Sequence, residues 1–198
     1  MDIHNYDLVV GDGEVLNREV VTEHVLVQRG GVLTAKSVTG AVTVTHGGIA
    51  RIDRVVSEAT GTDDLGGYVF VRGGIANVGE VTSRGFVAAV DVYAGSATVS
   101  KVYGNGEVTV SGGTAIVEEV LRRRGEFPGS VRNREGHGVL TVNRLSGKHY
   151  AEGGSTFLGN VFDGATILAS SGSLTAIGTL NGDVTISGDR STIVSARR

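Results

Sequence analysis

The sequence predicts an all-β fold, a parallel β-solenoid (β-helix) of about nine to ten turns forming one domain over residues 1–198, on the strength of three observations. The first is an internal repeat. A glycine followed by apolar residues two, four and seven positions later begins at Gly13, Gly31, Gly48, Gly74, Gly95, Gly113, Gly138, Gly154 and Gly172. The second-position column reads Val15, Leu33, Ala50, Ala76, Ala97, Ala115, Leu140, Thr156 and Leu174. The fourth reads Asn17, Ala35, Ile52, Val78, Val99, Val117, Val142, Leu158 and Ala176, and the seventh Val20, Val38, Val55, Val81, Val102, Val120, Leu145, Val161 and Thr179. Each column is apolar in eight of nine cases, 24 of 27 in all, where 40% hydrophobic content would fill about 11, so composition alone does not produce the pattern.

The second observation is spacing. The glycines step by 18, 17, 26, 21, 18, 25, 16 and 18 residues, a unit of 17–18 residues with three additions, which suits one solenoid turn. The third is alternation at period two upstream of the glycines, in Val42 and Val44, Val69 and Val71, Val90 and Val92, Val108 and Val110, and Val184 and Ile186. Each unit therefore holds at least two short strands joined at glycine corners, and only stacking on its neighbours buries its apolar face. The single proline, Pro128, agrees with this, because nearly every backbone N–H of a solenoid is a ladder donor. A disordered linker is excluded because the 32 glycines are phased with apolar residues, and collagen because no period of three exists.

From the N-terminus, residues 1–10 form an edge with no positive region followed by an apolar one, so no secretion leader is expected. Three evenly spaced units follow, and then an insertion at 56–67. A smaller addition, Thr82 to Gly85, sits at the same phase of the repeat, after the seventh-position valine. The largest insertion, 121–136, occupies that phase again, and three units then lead to a C-terminal edge at 189–198. There Arg190 and Thr192 occupy slots that would otherwise be apolar. Insertions at one phase project from one edge of a solenoid, often the binding face.

The loop edge supplies the candidate binding residues. Glu58, Asp63 and Asp64 make the first insertion acidic; Arg122, Arg123, Arg124, Arg132 and Arg134 outweigh Glu126 and Glu135 in the second. Three turns, or ~14 Å, separate the two, and Arg84 lies between them. Two readings follow. In one, the loops are solvated or pair with each other for ~0–1 kcal/mol per exposed pair. In the other they form a bipolar recognition edge, with arginines gripping carboxylates or phosphates and Phe127 as an apolar anchor.

Catalytic chemistry finds little support. Polysaccharide lyases and glycosidases need carboxylates converging on rigid strands. The acidic pairs adjacent in sequence, Asp63–Asp64 and Glu118–Glu119, fall in a glycine-rich loop and at a solvated strand end. His4, His24, His46, His137 and His149 show no metal-ligand spacing, and Gly104 and Gly106 lack the third glycine and the helix of a dinucleotide site. No catalytic residue, metal or cofactor is expected. With no cysteine, disulfides and thiol chemistry are absent; no apolar run approaches the ~18 residues of a membrane-spanning helix. A net charge of −3 argues against nucleic-acid binding.

Three stretches carry a resemblance: Val25-Leu-Val-Gln-Arg-Gly-Gly-Val-Leu-Thr-Ala, Val42-Thr-Val-Thr-His-Gly-Gly-Ile-Ala and Val108-Thr-Val-Ser-Gly-Gly-Thr-Ala-Ile-Val. They resemble the Gly-Gly repeats in passenger domains of AIDA-type autotransporter adhesins, over most of residues 8–188, and phage tail and fibre solenoids are also similar. The resemblance implies a non-catalytic, surface-exposed β-helix engaged in binding a protein or glycan. The leading expectation is thus a structural or binding module, adhesin-like or virion-associated, at a cell surface or in a virion. The alternative is an intracellular interaction module, a scaffold or toxin-neutralising partner, cytoplasmic if the chain is complete as written. A glycan-cleaving β-helix is third. Open strand edges at the ends also predict self-association.

Overall fold

A computed structural model describes residues 6–57, 66–134, 136–170, 172–188 and 192–195. In chain order its strands are β1 (Leu8–Val10), β2 (Val15–Val21), β3 (His24–Val27), β4 (Val32–Val38), β5 (Ala41–Thr45), β6 (Ile49–Ser57), β7 (Tyr68–Val110), β8 (Thr114–Val120), β9 (Ser130–Asn133), β10 (Val139–Leu145), β11 (Lys148–Ala151), β12 (Ser155–Val161), β13 (Thr166–Ala169), β14 (Leu174–Leu180), β15 (Thr185–Gly188) and β16 (Thr192–Ser195). No helix occurs among the described residues, and all strands belong to one sheet with parallel pairing throughout. The fold is a β-solenoid. A long limb stacks β2, β4, β6, two passes of β7, β8, β10, β12, β14 and β16. A short limb stacks β1, β3, β5, further passes of β7, β9, β11, β13 and β15.

The long limb bends because alternation breaks within it. In β4, Leu33 and Ala35 point inward, then Lys36 and Ser37 both point outward before Val38 returns to the core. The same double step recurs in β8 and β10, so the long limb wraps the core instead of lying flat. Stacked on register, Val78, Val99, Val117 and Val142 form one buried row, and Val25, Val42, Val69, Val90, Val108 and Val131 a second.

The paired glycines at the corners serve two different needs. Gly30 and Gly47 have φ of 79° and 74°, conformations that side chains other than glycine resist. Gly31 and Gly48 are limited by space: a Cβ there would lie 2.3 Å from the carbonyl oxygens of Val10 and Val27 on the preceding turn. At these two corners the first glycine answers a backbone angle and the second a contact between turns, whereas at Gly112–Gly113 and Gly153–Gly154 it is the second that has the positive φ.

Seven of the nine repeat registers match the structure, and the two terminal ones are shifted by one residue. At the N-terminal end, Leu16, Arg18 and Val21 align with Leu33, Ala35 and Val38. Val15 and Val20, expected inside, are exposed. At the other end Thr175, Ile177 and Leu180 align with Thr156, Leu158 and Val161, leaving Leu174 outside. Gly13 and Gly172 are the positive-φ glycines of their corners, equivalent to Gly30 and not to Gly31. Counting from them moves every side chain to the opposite face.

The C-terminal half of the core admits polar groups. Asn133 replaces the inward Val110 of the turn before, and its amide nitrogen donates to the carbonyls of Gly138 (3.2 Å) and Ser155 (2.9 Å) and to Thr156 Oγ1 (3.2 Å). His149 stands in the column between Val131 and Ile167, fully buried, with neither ring nitrogen hydrogen-bonded.

Candidate functional site

The insertions leave the rod at one corner, as their shared phase requires. Beyond Val55, β6 continues as Val56 and Ser57, which pair with Thr82 and Ser83 of the next turn. The Ser83 hydroxyl donates to the Ser57 carbonyl at 3.2 Å and accepts from the Gly85 amide at 3.1 Å, locking the small addition onto the stack. Two turns on, Leu121 N–H donates to Val102 O, and Gly129 N–H donates back to Leu121 O at 2.9 Å. That second bond closes Arg122–Pro128 into a seven-residue loop standing off the rod.

The largest insertion is therefore shorter than expected. Residues 121–136 are not one loop, because β9 lies within them and pairs with both β7 and β11 as an ordinary short-limb strand. The partners Thr114 and Val139 lie 25 residues apart, seven more than Ser96 and Thr114, and seven residues is the length of the loop.

Loop and small addition together line a cleft of about 770 Å³. Its walls are Arg54 and Val56 of one turn, Thr82, Ser83 and Arg84 of the next, Tyr103 and Gly104 of the third, and Arg123, Gly125, Glu126 and Phe127 of the loop. A chain of polar contacts runs through it. Arg54 Nε lies 3.6 Å from Glu80, and the Tyr103 hydroxyl donates to Glu80 at 2.8 Å. The guanidinium of Arg123 sits 3.6 Å above the Tyr103 ring, a cation–π contact that also fixes the loop against the rod. Phe127 remains 68% exposed at the rim, and Arg84 pairs with no carboxylate among the described residues.

Neither a family model, a curated protein nor a solved structure matches this chain.

Of the residues expected at the loop edge, Arg84, Arg123 and Phe127 come together in the cleft. Arg122 turns away, donating to Gly164 O at 3.3 Å, and Arg124 is exposed outside the cleft walls. Arg132 belongs to β9 and not to a loop. It lies 3.4 Å from Glu107, pairs with Glu152, and stacks 4.4 Å over Tyr150, its register partner. Burial alone would lower the Arg132 pKa, and the two glutamates reverse this, leaving it raised. Arg134 stands exposed just beyond β9, near enough to Asp91 to draw that carboxyl's pKa downward. Glu58, Asp63 and Asp64 lie outside the described residues, so the acidic half of the bipolar edge does too.

Sequence reasoning missed Arg54, Glu80 and Tyr103. A signal for two of them was present: Arg54, Glu80, Lys101, Glu119 and Arg144 occupy one outward position on five consecutive rungs, with charge alternating in sign. Like charges opposed across a ladder repel, so the alternation supports this register. It missed Asp91 and Glu107 as well, which adjoining turns of the short limb bring together. Burial pushes the Asp91 carboxyl above the usual carboxylate range, Glu107 adds to the rise, and Arg134 opposes it. Both Glu107 oxygens are engaged: Thr109 and Ser130 hydroxyls donate at 2.9 and 3.0 Å, and Arg132 lies alongside.

Proposed function

We propose that this chain is a non-enzymatic binding solenoid, a surface module of the adhesin-like or virion-associated kind, which recognises its ligand through the cleft beside Arg122–Pro128. The observation that carries this reading is the convergence of Arg54, Arg84, Tyr103, Arg123 and Phe127 from four successive turns onto one opening. A rod lined uniformly with short outward side chains offers no such concavity, whereas a cleft of this volume falls within the range of ligand sites. The Gly-Gly repeats favour the same reading by their resemblance to adhesin passengers. Against glycan cleavage stands the state of the strand-borne acids: Glu107 is held by two hydroxyls and a guanidinium instead of facing Asp91 across an open groove.

The test is excision of Arg122–Pro128, joining Leu121 to Gly129 through a glycine. The stub is already closed by the Leu121–Gly129 hydrogen bond, so circular dichroism and melting temperature are expected to stay near wild type. Excision through Glu135 deletes β9 and is expected to unfold the C-terminal turns. Immobilised wild-type chain and loop-excised chain are then offered to protein extracts and glycan arrays. Ligands retained by the first and lost by the second support the reading; equal retention by both removes it.

A further inference from the structure

We propose that the cleft takes an extended acidic segment of a partner protein, placing two of its carboxylates on Arg84 and Arg123 and an apolar side chain against Phe127. This rests on the cleft being the recognition site and adds the class of ligand. Charge comes first. Among the described residues, three guanidiniums line the opening against one carboxylate, Glu126. Glu80, just behind, is engaged by Arg54 and the Tyr103 hydroxyl. The guanidinium carbon of Arg123 lies 3.6 Å from the Tyr103 ring centroid, a cation–π contact that restrains the side chain while none of its N–H groups is paired with a carboxylate among the described residues. A rigid, planar fork matches a carboxylate, and holding it on the ring in advance lowers the entropy lost on binding.

Spacing comes second. Arg54, Arg84 and Arg123 belong to the first, second and fourth of four successive turns, with Tyr103 on the third, so the cations are spread along the rod axis over ~14 Å. An extended peptide covers that distance in about four or five residues, with alternate side chains on one face ~7 Å apart. Arg84 and Arg123 stand two turns apart, ~10 Å, a span that glutamates at i and i+2 cover by splaying their own flexible side chains. Phe127 supplies the apolar contact. It presents an isolated, mostly exposed ring at the rim, suited to an apolar side chain, while the Tyr103 face on which a sugar would stack is covered by Arg123.

The chain contains no tryptophan, so a tryptophan-bearing probe is read without background. The peptide Gly-Glu-Gly-Glu-Gly-Trp is titrated with the intact chain, followed by tryptophan emission and anisotropy, at low and high salt. Saturable binding that weakens with salt is expected, with a loss of about tenfold in Arg84→Gln and in Arg123→Gln. No change is expected in Arg124→Gln, whose arginine stands outside the cleft. All three are surface substitutions, and a melting curve for each checks that the rod is intact. The inference is overturned if the acidic peptide does not bind, if a Lys-for-Glu peptide binds equally, or if Arg124→Gln weakens binding as much as Arg84→Gln. A sulfated oligosaccharide that binds the cleft while the peptide does not would leave the cleft as recognition site and remove its preference for acidic protein segments.

Discussion

His149 occupies a place where its column neighbours are valine and isoleucine, and this burial sets its chemistry. Burial disfavours the charged ring, and the pKa falls from 6.5 to about 4; a contact with the Val131 backbone, short of good hydrogen-bond geometry, opposes the shift. The unfolded chain therefore binds a proton at higher pH than the folded one. Stability from this group is fully present above pH 6.5 and is lost as pH falls from there towards about 4, a total of roughly 3 kcal/mol. We expect His149→Val to be more stable than wild type at neutral pH, since it removes two unsatisfied buried nitrogens. Its denaturation midpoint should also fall less steeply across that window. Parallel pH profiles for the two proteins would show that the ring is not held neutral by the core.

At the level of the element, the long-limb strand is defined by which residues it turns inward, and neighbouring positions should respond oppositely. Val117 is fully buried between Val99 and Val142, whereas Ile116 beside it is 39% exposed on the outer face. Val117→Asp is expected to cost at least ~4 kcal/mol by leaving a carboxylate unpaired in the core, and Ile116→Asp less than ~1 kcal/mol. Urea denaturation of both variants reads this directly. A Val117→Asp chain that unfolds with wild-type midpoint would break the register. The corner where these strands end is equally revealing, because alternating charge there ties turn to turn at little energetic gain. Arg144 lies 2.8 Å from the partly buried Glu119 and Lys36 2.8 Å from Glu19 in open solvent, where screening leaves an ion pair little stabilising effect. Their contribution is chiefly to alignment, since a shift by one turn would oppose like charges.

For the whole molecule, the ends of the rod pose the problem that a closed fold avoids. Among the described residues β2 bonds only to β4, and β16 only to β14, so each end presents an open ladder edge. The N-terminal turn carries a charge in its core column: Arg18 stands where later turns place Ala35 and Ile52. An exposed arginine in that slot disfavours a second rod stacking end to end. We expect the wild-type chain to self-associate weakly and Arg18→Val to associate at markedly lower concentration, seen by sedimentation velocity over a wide concentration range. A single species near the chain mass of 20.4 kDa for the variant at every concentration would remove this role for Arg18.

The sequence by itself determined the architecture, because a solenoid is specified by local repetition. Phased glycines, three apolar columns and a unit of 17–18 residues each recur often enough that single exceptions do not obscure them. The same redundancy failed at Gly13 and Gly172, where a lone glycine at a corner leaves open whether it serves the angle or the contact, and only cross-strand pairing resolves the one-residue difference. The cleft was legible in part. Phase alone assigned Arg84, Arg123 and Phe127 to one edge, but Arg54, Glu80 and Tyr103 are outward residues under no apolar pattern, and their neighbours lie a full turn away in sequence. How long that turn is depends on insertions whose limits are set by hydrogen bonds such as Gly129 to Leu121. Tertiary structure thus decided which side chains meet across turns, including the withdrawal of Arg132 from the edge into its pairing with Glu107 and Glu152. The physical reason is that the core repeats and so announces its register, whereas the outer surface repeats only its backbone.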